Sequence, residues 1–392
     1  MKVKNNILGL AEIEPWHEPV DGQLLLDDLV KVLRRFVVLP KFAAETLALW
    51  SLHTYVFELR EISTYIGLES PEKRCGKTTL LSVLSEVVNN PVVAANISPP
   101  AFFRLIEEAR PTLLIDEADT LLKGNDELRG ILNAGYTRKG AYVVRVGQST
   151  SAGEKPEEEA AEEGGARTRL ARFSCWCPKI MAAIGRLPET LSDRCIVIRM
   201  ERRTQREQCE RLRNLDGTII RRQCLRFAAD HREEIREATP AIPTRLNDRA
   251  GDVWEPLLAL ADLAGAHWPG VTREAALHLA EAAQEQNPIG SLLLDIFCVL
   301  TASKQDRILS RALVEGLAGF SDRPWAEVLR GKPLTELWIA QQLRPYGIRP
   351  RPFRLEGQRA RGYFREEMID AFRRYIPRSE LEALTSENGE DV

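Results

Sequence analysis

Long hydrophobic runs are missing from this 392-residue chain: no stretch approaches the roughly 18 consecutive apolar residues of a membrane span, so none is expected. The opening residues, MKVKNNILGLAEIEP, have neither a long apolar segment nor a small-residue cleavage site, so a signal peptide is not expected either. The seven cysteines form no CxxC pair, which reads as free thiols in a reducing cytoplasm. Cys175-Trp176-Cys177 is a lone close pair with no second pair or nearby histidine to complete a metal site. The net charge is only −3, so bulk charge does not point to nucleic acid. Its distribution says more. Arg344, Arg349, Arg351, Arg354, Arg359, Arg361 and Arg365 crowd one stretch with Glu356 as its only acid, while acids gather at Glu154–Glu163 and after Glu380.

What is present suggests two or three domains. Apolar spacing from Leu25 to Tyr55 predicts two helices broken at Pro40. Ser63–Leu68, Val92–Ala95 and Thr112–Ile115 read as strands, alternating with helices Thr78–Val88 and Pro99–Ala109. That alternation predicts an α/β fold with a parallel, helix-covered sheet. Tyr136–Val146 reads as a hairpin turning at Arg138-Lys139-Gly140. Ser149–Thr168 has no large apolar residue and reads as a flexible acidic insert. Further strands are expected at Phe173–Trp176, Ile180–Ile184 and Cys195–Met200. The expected organisation is a helical region (1–60), a core (61–203), a helical lid (204–287), a basic third unit (288–378) and an acidic tail (379–392).

Two motifs carry the chemistry. Residues 70–79 read SPEKRCGKTT, a phosphate-binding loop running from Pro71 through Glu72, Lys73, Arg74, Cys75, Gly76, Lys77 and Thr78 to Thr79. Such a loop needs free backbone N–H groups at a helix start and a compact cation. Gly76 lets the backbone approach the phosphates, Lys77 bridges the β- and γ-phosphates, and the Thr78 hydroxyl ligates Mg2+. Pro71 stands where the usual pattern has its first glycine. Residues 112–119 read TLLIDEAD, a buried strand ending in Asp116, expected to hold the metal through water, and Glu117, expected to act as general base. Together they predict an ATPase using ATP and Mg2+, with Lys77, Asp116 and Glu117 in its catalytic set.

Lys179–Met200, KIMAAIGRLPETLSDRCIVIRM, resembles the stretch of AAA+ ATPases between the sensor strand and the arginine finger. The resemblance implies that Arg194 is the finger, reaching a neighbour's γ-phosphate and making the chain a homo-oligomer, a ring such as a hexamer or an open helix. Gly185 stands at the usual polar sensor position, leaving Lys179 or Arg186 as substitutes. In the lid, Arg249 or Arg245 is a candidate second sensor, against an ordinary ion pair with Asp248 or Asp252. SPEKRCGKTTLL, RPTLLIDEAD, ELRGILNAGYTR, GRLPETLSDR and RLNDRAGDVWEPLLALADLAGAHWP resemble, over about Asp21 to Pro377, the family known as domain of unknown function 3631. That resemblance implies a helicase-like role in DNA replication of phages, plasmids and integrated elements, beside primases.

Pro333–Leu343 followed by the basic stretch Arg349–Tyr363 resembles a winged helix, with Arg349, Arg351, Arg354, Arg359 and Arg361 on DNA phosphates. Docking of those arginines on the acidic insert is the rival reading. Arg138 and Lys139 are expected to touch DNA from the hairpin tip. The leading expectation is an ATP-driven motor on DNA, a replicative helicase or helicase loader. An ATP-gated switch in defence or transposition that recruits an effector nuclease, and a DNA-binding regulator with weak ATPase, are the alternatives.

Overall fold

A computed structural model describes residues 13–94, 97–147, 169–284, 288–303, 305–320, 323, 325, 333–355 and 358–376. The acidic insert and the acidic tail lie outside them. The chain divides into two compact units, 1–280 and 281–392.

In the first unit, helices α1 (Gly22–Phe36) and α2 (Ala43–His53) precede strand β1 (Tyr65–Ser70) and helix α3 (Lys77–Ser85). Then come β2 (Pro91–Ala94), α4 (Pro99–Ala109), β3 (Thr112–Ile115), α5 (Ala118–Leu122) and α6 (Asp126–Ala134). They are followed by β4 (Tyr142–Gly147), β5 (Arg169–Ser174), β6 (Lys179–Ile184), α7 (Glu189–Ser192) and β7 (Cys195–Arg199). Helices α8 (Thr218–Asp230), α9 (Arg232–Glu237), α10 (Asp248–Ala264) and α11 (Trp268–Gln284) complete the run.

Five strands form one parallel sheet in the order β2-β3-β6-β1-β7. Both faces are covered, which is why β1 and β3 read as unbroken buried runs. Alternation still sorts their side chains. Ile66, Leu68, Leu114, Ile180, Ala182, Ile196 and Ile198 face a core shared with α1, α2, α3, α8, α10 and α11. Tyr65, Leu113, Ile115, Met181 and Ala183 face the opposite core, built with α4, α5, α6 and α7. The N-terminal helices and those of 218–284 thus close the same side of the sheet. Side chains set several helix starts: Asp21, Asn125 and Asn247 accept hydrogen bonds from Leu24, Leu128 and Ala250 at 3.0, 3.1 and 2.8 Å.

The hairpin expected at Tyr136–Val146 is not formed. β4 pairs antiparallel with β5, from Tyr142↔Ser174 to Gly147↔Arg169, so its arms bracket the acidic insert. Residues 137–140 form a turn before the ribbon instead, pinned to the segment entering β1: Ser63 N–H donates to Tyr136 O at 2.9 Å and Arg138 N–H to Glu61 O at 2.9 Å. The turn at Arg138-Lys139-Gly140 is formed, but no strand precedes it among the described residues: Thr137 makes an isolated bridge to Ile62. The ribbon packs one face on α4, with Phe173 4.7 Å from Phe103. On the other face Tyr142, Val144, Val146 and Leu170 are exposed, and the Arg172 guanidinium lies 3.6 Å from the Tyr142 ring centre.

The second unit runs α12 (Pro288–Ser303), β8 (Arg307–Leu309), α13 (Ser310–Ala318), α14 (Glu336–Leu343), β9 (Arg351–Leu355), β10 (Gln358–Phe364) and α15 (Glu366–Tyr375). Its sheet has the order β8-β10-β9, antiparallel throughout. Its own core includes Leu293, Phe297, Leu313, Ile339, Leu343, Tyr363 and Phe372. The helix predicted from Pro333 starts at Glu336, where the Thr335 side chain accepts from Trp338 N–H at 3.2 Å. Among the described residues, no helix is long and apolar enough to cross a membrane.

Candidate nucleotide site

Ligands of open parallel sheets gather at the carboxyl ends of the strands. Here the loop after β1, the acids after β3 and Gly185 after β6 share that edge. Gly76 (φ +85°) is the N-cap of α3 and offers no side-chain bond, so the first N–H groups of the helix are left for a ligand. Arg74 is also left-handed, at φ +68°. Lys77 is buried and its Nζ is bonded to Ser70 Oγ, which donates in turn to Glu72 O at 2.7 Å. The Cys75 thiol donates to the same carbonyl at 3.3 Å. A tight turn therefore survives Pro71, because side chains of the loop hold it. Thr79 is half-buried on the first turn of α3.

The two motifs meet directly. Thr78 Oγ1 donates to Asp116 Oδ2 at 2.9 Å. The other carboxylate oxygen of Asp116 accepts from Glu117 N–H at 3.0 Å. Glu117 is exposed and left-handed (φ +53°), a conformation costing a non-glycine residue about 1 kcal/mol and concentrated at functional sites. A hydroxyl and a carboxylate converging on one point are hard oxygen donors of the kind Mg2+ takes, so Thr78 and Asp116 fit that ion.

Just past β6, Gly185 (φ +80°) donates its N–H to Ser70 O at 2.8 Å, tying β6 to the loop through backbone. Lys179 is not a substitute sensor. It is fully buried at the start of β6, donating to Tyr65 Oη, Cys175 O and Cys177 O at 2.9 Å each. Burial pushes the Tyr65 hydroxyl well above its ordinary pKa, so it stays protonated. Arg186 is exposed just beyond Gly185.

Arg194 lies elsewhere. β7 begins level with the first residue of β1 (Tyr65↔Cys195), whereas the loop follows its last, Ser70. At about 3.3 Å per residue, Arg194 and the loop stand about 17 Å apart along the sheet. The Arg194 guanidinium donates to Thr190 O and lies 5.3 Å from the Tyr136 ring centre, while its buried Nε has no hydrogen-bond partner. Arg249 shares this corner: its Cζ is 5.9 Å from the same ring, and its Nε is 3.1 Å from Asp193 Oδ2. The ion pair expected with Asp248 or Asp252 is thus made with Asp193 instead. Arg245 is exposed in the turn before α10. Tyr136 and Asp193 follow no motif spacing, and only the folded chain brings them to the arginines.

The basic candidates fall into two groups. Arg138 and Lys139 are exposed, with Arg138 donating from its guanidinium to Glu58 O at 3.1 Å. In the second unit Arg349, Arg351, Arg354 and Arg361 are exposed, and Arg351 is ion-paired with Glu367 at 2.9 Å. Arg354 and Arg359 are direct register partners across β9 and β10.

Residues 199–375 match a family described as "Protein of unknown function (DUF3631)". The match is narrower than the Asp21–Pro377 expected and begins at the end of β7, beyond the phosphate loop and the acidic strand. A Saccharopolyspora erythraea protein, described as an uncharacterized 28.9 kDa protein in a xis 5′ region, is 34% identical over 148 residues. Those residues are 37% of this chain and 54% of the relative, so the chain spans about half the length of that curated protein. Among solved structures, the apo C-terminal region of NrS-1 superposes with a TM-score of 0.40 at 13% identity, covering 90% of this chain and 77% of that one. A helicase titled SCCmec type IV Cch gives 0.35 at 10% identity, covering 88% and 68%. Pyrobaculum aerophilum Cdc6p gives 0.23 at 14% identity, covering 91% and 97%.

Proposed function

We propose that the chain is an ATP-hydrolysing, self-associating motor on DNA, a replicative helicase or helicase loader of a mobile element. The observation that carries this reading is the 2.9 Å bond from Thr78 Oγ1 to Asp116 Oδ2, which joins a phosphate loop to an acidic strand end at one edge of a parallel sheet. The α3 N-terminus and Lys77 bind the phosphates. Thr78 and Asp116 hold Mg2+, which when bound neutralises charge on the phosphates. Glu117 orients and polarises the attacking water.

Arg194 and Arg249 serve a neighbouring copy. Arg194 stands about 17 Å along the sheet from its own loop, with Arg249 beside it, and a second subunit packed against that corner brings its γ-phosphate to both. Arg249 is thereby read as a trans-acting residue, not a sensor for its own site. DNA is engaged by two surfaces. One is the open face of the β4–β5 ribbon, where stacked Arg172 and Tyr142 suit a base or a phosphate. The other is the second unit, read as a winged helix with α14 as recognition helix and β9–β10 as the basic wing. The xis 5′ region in the Saccharopolyspora relative's description supports a mobile-element setting.

The test is ATP turnover with and without single- and double-stranded DNA, alongside solution mass with and without nucleotide and unwinding of a forked duplex. DNA-stimulated turnover, a nucleotide-dependent oligomer and unwinding are expected. Turnover without unwinding favours the ATP-gated switch, and no turnover refutes the reading.

A further inference from the structure

β7 runs parallel to β1, with Glu69 opposite Arg199 in the ladder. Those side chains form an ion pair, Arg199 Nε to Glu69 Oε2 at 3.7 Å. A last bond closes the ladder, with Met200 N–H, just past β7, donating to Glu69 O at 2.7 Å. Beyond the ladder, in the segments that leave the two strands, a second glutamate–arginine pair forms: Arg202 is 3.3 Å from Glu72. Glu72 is the second residue of the phosphate loop. Its carbonyl is held by Ser70 Oγ and the Cys75 thiol, and Ser70 Oγ is also the partner of Lys77. The Glu72 backbone is thus held in the loop that would receive the phosphates, and its carboxylate meets Arg202 there. Its side chain is 54% exposed and that of Arg202 53%, so both are open to an incoming ligand.

An acid at this place repels a nucleoside polyphosphate, and a cation beside it cancels that repulsion. We propose that Arg202 is a further residue of the nucleotide site: it neutralises Glu72, and the loop's affinity for a nucleoside triphosphate depends on the pair being intact. The inference rests on the loop's reading as a nucleotide site. The segment after β7, running on beside the loop that follows β1, supplies Arg202, which no spacing within SPEKRCGKTT could reveal.

A double-mutant cycle tests it, using titration of the full chain with a fluorescent ATP analogue and Mg2+. Arg202→Ala weakens binding about threefold to fivefold, the upper part of the range of an exposed charge pair, and less at high salt. Glu72→Gln alone binds at least as tightly as the wild type. Glu72→Gln combined with Arg202→Ala returns affinity to within about twofold of the wild type, because there is no longer an acid to neutralise. Unchanged affinity in Arg202→Ala overturns the proposal. So does a double variant as weak as Arg202→Ala, which would mean that the arginine touches the nucleotide itself. Lys77→Ala, run alongside, separates this failure from failure of the site: if it binds the analogue normally, the loop is no nucleotide site and both readings fall.

Discussion

Arg249 is ion-paired to Asp193, the residue immediately before Arg194. With Tyr136 beside both guanidiniums, two arginines from distant parts of the sequence share one corner of the first unit. That corner lies at the amino end of the sheet, and the phosphate loop lies at the other end. The arrangement makes sense if the arginines and the loop belong to two copies of one site.

Arg194→Ala is therefore expected to bind ATP normally and to lose turnover by at least about 100-fold, the scale of removing a charge-stabilising group. Mixing it with Lys77→Ala protein partly restores activity, since some interfaces then pair an intact loop with an intact arginine. Hydrolysis at the wild-type rate by the Arg194→Ala protein alone would remove the trans role.

Arg249→Ala is expected to give a smaller loss of turnover and to leave nucleotide affinity unchanged. Asp193→Asn separates charge from packing: freeing Arg249 from its counter-ion should raise turnover or leave it unaltered. Steady-state kinetics of the two variants decide it. A loss of nucleotide affinity in Arg249→Ala monomers would instead return Arg249 to its own subunit's site.

The arginines around β9 and β10 give a salt-dependent prediction. Each lost phosphate contact lowers the slope of log affinity against log salt by about one. Replacing Arg349, Arg354 and Arg361 by Ala is expected to weaken DNA binding across sequences and flatten that slope, with DNA-independent ATPase retained. Fluorescence anisotropy at several salt concentrations checks it, and an unchanged slope would contradict the DNA-binding role.

His53 carries a pH prediction. It is fully buried, and its Nε2 accepts from Thr64 N–H at 3.2 Å. Burial, helped by the nearby Arg60 charge, pushes its pKa down to about 3. An unfolded histidine titrates near 6.5. Below that pH the unfolded chain takes up a proton that the folded chain refuses, so the stability His53 contributes is present at neutral pH and drains away as pH falls. The loss is up to about 1.4 kcal/mol per pH unit. Denaturant titrations at pH 7.5 and 5 should show a steeper fall in the wild type than in His53→Gln; equal falls would contradict it.

Much of the first unit was legible because its signals are local. Helix Pro99–Ala109 and strand Thr112–Ile115 stand where the sequence places them, as a Pro-started amphipathic helix and a short apolar run. The loop and acid motif were legible for the same reason: each is one contiguous string. What escaped depends on pairing across the chain. β4 chose β5, beyond the acidic insert, over the residues just before it, and nothing in Tyr142–Val146 encodes that choice. Lys179 looked free for chemistry, yet two carbonyls and a tyrosine hydroxyl take its three protons. Arg202, Tyr136 and Asp193 became visible only through packing of the folded chain.

Nucleotide binding and turnover, measured together on the wild type, Lys77→Ala and Glu117→Gln, test the central claim most directly. The wild type is expected to bind and hydrolyse ATP, Lys77→Ala to lose binding, and Glu117→Gln to bind as tightly as the wild type with turnover all but abolished, since the phosphate cradle survives removal of the base. Wild-type turnover in Glu117→Gln, or wild-type binding in Lys77→Ala, would contradict the assignment of this loop and this acid to one ATPase site.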